Sequence, residues 1–158
     1  MQMKSRYLFI KSFFLVLFSL NHASAGENIT VQNAWLRETP PTIKIMAGYL
    51  QIENSSDETL TLVSAESTDF ERIEFHLSQT KDGIARMKQQ ERIIIAPKST
   101  FSFEPGGYHL MLFNNVVPMR EGKKATISLT FENGETHSFD TIVKKSDSTD
   151  AHQHHNHH

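Results

Sequence analysis

The feature that most constrains this chain is a succession of short β-type runs, each closed by turn chemistry, with no long amphipathic helical stretch between them. The runs are Ile29–Glu38, Ile45–Glu53, Thr59–Glu66, Phe70–Leu77, Ile84–Gln89, Arg92–Ile95, Phe101–Phe103, Tyr108–Phe113, Lys124–Phe131 and Thr136–Val143. Between them sit Pro40-Pro41, Asn54–Asp57, Asp82-Gly83, Pro97–Ser99, Pro105-Gly106-Gly107, Asn114-Asn115, Glu121-Gly122 and Asn133-Gly134. Glycine, asparagine and aspartate accept the backbone angles of tight turns, and proline presets them. Many short strands at this spacing predict an all-β sandwich. The alternation is clearest in Thr126–Phe131, where every second residue is apolar. Asn133-Gly134 then predicts a tight hairpin turn, because both residue types tolerate positive φ. No internal repeat or second domain is visible.

The two ends read differently from this middle. Lys4, Arg6 and Lys11 precede the apolar run Ser12–Leu20, and Ala23-Ser24-Ala25 follows it. Basic, apolar and small segments in that order predict a signal peptide over residues 1–25, cleaved near Ala25. The apolar run is shorter than the roughly 20 residues a spanning helix needs. With no cysteine after it, a lipid anchor is not expected either. The expected domain covers residues 26–143, enough for one core. Residues 144–158 lack apolar periodicity and read as a disordered tail.

Loss of Lys4, Arg6 and Lys11 takes the formal net charge from −2 to −5. A mildly acidic chain is a poor ligand for nucleic acid or an anionic membrane, and no stable membrane insertion is expected. The absence of cysteine excludes thiol–disulfide exchange, blue-copper electron transfer and cysteine-based zinc sites. If this chain handles a soft metal, methionine must supply the sulfur.

Met46 lies in an apolar strand and Met119 beside Pro118, so both read as packing residues; His137, near the start of the last strand, reads as a surface residue. His76, Met87, His109 and Met111 are harder to dismiss. Ile73, Phe75 and Leu77 form one face of their strand, which puts Glu74, His76 and Ser78 on the other. A two-residue turn at Asp82-Gly83 would pair Lys81 with Ile84 and Ser78 with Met87. Met87 would then lie diagonally beside His76 on that face. His109 and Met111 are two apart on one strand and share a face, leaving Leu110 and Leu112 for the core. The Pro105–Gly107 turn would put them near one end of the sandwich. From spacing alone two readings stand: one site built of two imidazoles and two thioethers, or four unrelated side chains. Neutral thioethers favour Cu(I) over Zn²⁺, Mg²⁺ or Ca²⁺.

His76, ten residues, Met87, twenty-one residues, then His109-Leu110-Met111 resembles the signature of the PCu(A)C family of periplasmic copper chaperones. Asp82-Gly83, Ile95-Ala96-Pro97, Pro105–Leu112 and Ile127–Gly134 are similar to that family as well, and the resemblance covers roughly residues 29–143. It implies a cupredoxin-like, immunoglobulin-like Greek-key β-sandwich. It also implies Cu(I) held by His76, Met87, His109 and Met111 in the periplasm. The implied acceptor is the Cu(A) subunit of a respiratory oxidase, or its assembly factor. Where many members have a methionine two residues after the first histidine, this chain has Ser78, which removes a spare sulfur.

His152, His154, His155, His157 and His158 crowd the last seven residues. Imidazole donors without sulfur suit Cu(II), Ni(II) or Zn(II), so the tail reads as a Cu(II) chelator. An affinity tag is the alternative, against which the interruptions at Gln153 and Asn156 speak. Two other classes stand beside the copper reading for the whole chain. One is a metal-free immunoglobulin-like interaction module. The other is an enzyme, for which the sequence offers no nucleophile with its base and no carboxylate pair of evident catalytic context.

Overall fold

The structure, a computed structural model, describes residues 28–145. The expectations for the leader and for the histidine tail lie outside them. Ten strands follow in order: β1 Ile29–Arg37, β2 Ile45–Asn54, β3 Leu60–Glu66, β4 Phe70–Lys81, β5 Ile84–Gln90, β6 Ile93–Ile95, β7 Ser99–Phe103, β8 Tyr108–Asn115, β9 Lys124–Phe131 and β10 Thr136–Lys144. Every predicted run is a strand, with ends displaced by a few residues where turns close later than the side-chain pattern suggests.

The hydrogen-bonded order is β5-β4-β8-β2-β1-β10-β9-β3-β6, with β7 alongside the second half of β2. β8 lies between β4 and β2, neither of which adjoins it in sequence. β1 joins the two layers. It runs antiparallel to β2 and, through Trp35, Leu36 and Arg37, parallel to β10. A bulge between Gln32 and Trp35, with Asn33 at φ 53°, re-aims the strand for that second role. The inward residues of both layers form one core. Leu50, Ile52, Phe75, Phe103, Leu110 and Leu112 face Leu62, Ile93, Ile95, Ile127, Leu129 and Phe131. Met46 and Met119 are buried in it, as their sequence context predicts, while His137 is half-buried on β10.

Two local expectations need correction. The β9–β10 connection is a three-residue loop, with Gly134 N–H donating to Phe131 O and Phe131 N–H to Glu135 O. Only Gly134 takes positive φ there, so Asn133 sits within an ordinary turn and the glycine forms a bulge. Ile73 and Leu77 are only half-buried; on their face of β4, Phe75 is the buried residue.

Asn54 ends β2 and is fully buried. Its Nδ2 donates to Glu58 O at 2.8 Å and Ala96 O at 3.0 Å, and its Oδ1 accepts from Ser56 N–H at 3.0 Å and Ser56 Oγ–H at 2.7 Å. This amide ties the β2–β3 turn to the β6–β7 turn. Asn54→Ala strands several buried polar groups and should cost about 2–3 kcal/mol, read as a lower urea midpoint with unchanged slope.

Candidate metal centre

Asp82 and Gly83 both take positive φ, 55° and 75°, as a two-residue hairpin turn demands. The turn sets the register of β4 against β5, with Lys81 opposite Ile84, Ser78 opposite Met87 and His76 opposite Gln89. On its other side β4 pairs with β8, which puts His76 opposite His109 and Glu74 opposite Met111. Side chains on a strand alternate, so the outward face carries Glu74, His76 and Ser78 on β4, His109, Met111 and Phe113 on β8, and Met87 on β5. Leu110 and Leu112 take the inward face and are fully buried.

The four residues lie on the outward face of the β5-β4-β8 layer. His109, the second residue of β8, stays beside the Pro105–Gly107 turn as expected, and Gly107 O also accepts from Ser78 N–H on β4 at 3.0 Å. The imidazoles of His76 and His109 are direct neighbours, with ring centroids 6.0 Å apart and planes inclined by 38°. Met111 follows two residues after His109, and Met87 lies one row diagonally from His76. The side chain of Met87 is 54 % exposed. Among the described residues no three His, Cys, Asp or Glu side chains are grouped to hold a metal ion.

The hydrogen bonds decide which ring nitrogens are open. His109 Nδ1 lies 3.1 Å from Gly107 O. A carbonyl can only accept, so Nδ1 carries the proton and donates it. Burial pushes the His109 imidazole below its ordinary pKa; the Gly107 bond acts the other way and nearby His76 adds to the lowering. The ring is thus neutral near pH 7, with the Nε2 lone pair open. His76 Nε2 lies 2.8 Å from Glu74 Oε2, so Nε2–H donates to the carboxylate. His76 Nδ1 is buried and has no hydrogen-bond partner. The hydrogen bond from His76, with help from Arg72, holds the Glu74 carboxyl below its usual pKa against the opposing effect of burial.

A metal–imidazole bond of about 2 Å puts an ion roughly 3 Å from each ring centroid, so a centroid separation of 6.0 Å is compatible with one ion between the two rings. Glu74 and Gly107 are the contributors that sequence reasoning missed. Glu74 shares a strand face with His76, a period-two signal that marks proximity but assigns no role.

A family model described as "Putative lipoprotein LpqE-like" matches residues 29–143. "Putative lipoprotein Lxx21020" of Leifsonia xyli subsp. xyli is 27% identical over 120 residues, spanning 75% of this chain and 71% of that one. The copper-bound PCuAC domain from PmoF2 superposes with a TM-score of 0.64 at 24% identity, covering 75% of this chain and 94% of that domain. The Cu(I) form of DR1885 from Deinococcus radiodurans superposes with a TM-score of 0.61 at 27% identity, covering 78% and 83%. The fold is accordingly the cupredoxin-like, immunoglobulin-like β-sandwich that the strand pattern and the resemblance predict.

Proposed function

The chain belongs to the LpqE-like family, and from that premise we propose that it is a copper carrier of the cell envelope. In this reading His76, Met87, His109 and Met111 hold one Cu(I) on the outward face of the β5-β4-β8 layer. The observation that carries it is the pairing of His76 with His109, each with an open ring nitrogen, on a face to which β5 and β8 each add a thioether. Two neutral imidazoles and two thioethers suit a soft, reduced ion. The likeness to the Cu(I) form of DR1885 points the same way.

Four neutral ligands leave the ion's charge uncompensated, so an acceptor with thiolates can take it by stepwise ligand exchange, without change of oxidation state. Met87, exposed on the outermost strand of the layer, is the ligand placed to be displaced first. The acceptor in this reading is the Cu(A) subunit of a respiratory oxidase or its assembly factor. The family's description supports an exported protein, as does the predicted signal peptide. No helix of the described residues is long and apolar enough to cross a membrane.

An anaerobic competition titration against a Cu(I) chelator tests the carrier reading. One Cu(I) per chain is expected, and failure to compete would leave the metal-free interaction module as the better account. His152, His154, His155, His157 and His158 add a separate expectation. Deleting residues 150–158 should remove a Cu(II) equivalent and leave the Cu(I) equivalent intact; unchanged Cu(II) stoichiometry would reject the tail's role.

A further inference from the structure

The outward face of β4 carries a relay that ends at the open nitrogen of His76. Arg72, Glu74 and His76 alternate along the strand and share this face. The Arg72 guanidinium lies 4.1 Å over the ring of Phe113 on β8, which limits where it can point. Its Nε–H donates to Glu74 Oε1 at 2.7 Å. The other carboxylate oxygen, Oε2, accepts from His76 Nε2–H at 2.8 Å. Glu74 and His76 are mostly buried, so water competes weakly for these bonds. The relay leaves His76 Nδ1 buried with no partner.

We infer that Glu74 is a positioning residue for the copper cargo: anchored by Arg72, its carboxylate fixes His76 as the Nε2–H tautomer and presents Nδ1, rather than Nε2, to the ion. A carboxylate that accepts only, held by a cation that donates only, can be satisfied by His76 in one way. The partner of Nε2 is thereby settled before any metal arrives. The two histidines then bind through different ring atoms, His76 through Nδ1 and His109 through Nε2, because each has its other nitrogen tied to an oxygen. A carboxylate hydrogen-bonded to the far side of a metal-binding imidazole also raises its basicity. Arg72 offsets the carboxylate's charge, so the site gains a better donor without becoming strongly anionic.

The inference rests on the carrier reading, and its test separates the two. Histidine ¹⁵N chemical shifts of the full chain without metal should show His76 as the Nε2–H tautomer. In Glu74→Ala that preference should be lost while the backbone amide spectrum stays folded. Cu(I) is diamagnetic, so the same spectra of the loaded protein report which nitrogen moves on binding; Nδ1 is expected for His76 and Nε2 for His109. Glu74→Ala should weaken Cu(I) binding roughly tenfold, and Glu74→Gln, which keeps an acceptor oxygen, should recover part of it. Cu(I) bound through His76 Nε2, or Glu74→Ala with wild-type tautomer and affinity, would overturn the role of Glu74 and leave the carrier intact. A wild-type chain that takes up no Cu(I) would instead overturn the carrier reading beneath it.

Discussion

Replacing His109 with alanine should lower Cu(I) affinity by at least about 100-fold, beyond the 10–100-fold that the loss of an outer-shell partner produces. In the carrier reading the residue supplies the Nε2 lone pair, and its burial keeps that ring neutral near pH 7. Removing it also leaves Gly107 O without its side-chain donor and opens a small hollow beside His76, so a modest loss of stability should accompany the loss of metal. Met87→Ala is the cleaner companion. Its side chain is largely exposed on an edge strand, so truncation should leave the denaturation midpoint within experimental scatter while Cu(I) binding weakens by an order of magnitude or more. Chelator competition for affinity, with urea titration for fold, reads both. Wild-type affinity in both variants would refute the ligand assignment.

Leu110→Ala should do the opposite. Leu110 lies between His109 and Met111 on β8 but faces inward and is 0 % exposed. Deleting a fully buried leucine side chain costs about 3–5 kcal/mol when the site cannot collapse. It packs where Gly48 of β2 comes close, since a Cβ at Gly48 would stand 3.3 Å from the Leu110 Cβ and 3.0 Å from Leu36 Cδ2. That fit leaves little room for repacking. The expected outcome is a large drop in the denaturation midpoint, with near-wild-type Cu(I) binding by whatever fraction remains folded. Adjacent residues on one strand thus separate stability from metal binding by parity. A Leu110→Ala protein of wild-type stability would mean that β8 does not present its faces as described.

Local features of this chain were legible for local reasons. Period-two alternation in Thr126–Phe131 and in Leu110–Leu112 reports which face is buried, and Asp82-Gly83 fixes a hairpin register by itself. The diagonal placement of Met87 beside His76 therefore followed from residues near one another in sequence, and the register agrees with it. What periodicity cannot say is which distant strand will lie alongside. The pairing of β4 with β8 joins residues from 31 (Leu77 and Tyr108) to 45 (Phe70 and Asn115) positions apart, and only the resemblance to a known ligand spacing anticipated that His76 and His109 would meet.

Other residues were illegible because their roles depend on tertiary surroundings. Asn54 stands in a run of turn formers, Asn54–Asp57, and reads as exposed turn chemistry, yet it is fully buried because two turns converge on its amide. Glu74 could be assigned to the correct face but not to a function. Its meaning arises only when His76 Nε2 is seen to be occupied and Nδ1 to be open.

X-ray absorption at the copper edge, on Cu(I)-loaded protein cleaved near Ala25 and lacking residues 150–158, counts the atoms around the ion directly. Two nitrogen and two sulfur neighbours are expected, with one of the sulfurs lost in Met87→Ala. A first shell of nitrogen and oxygen alone, or one unaltered by that substitution, would contradict the assignment of His76, Met87, His109 and Met111 to a single copper ion.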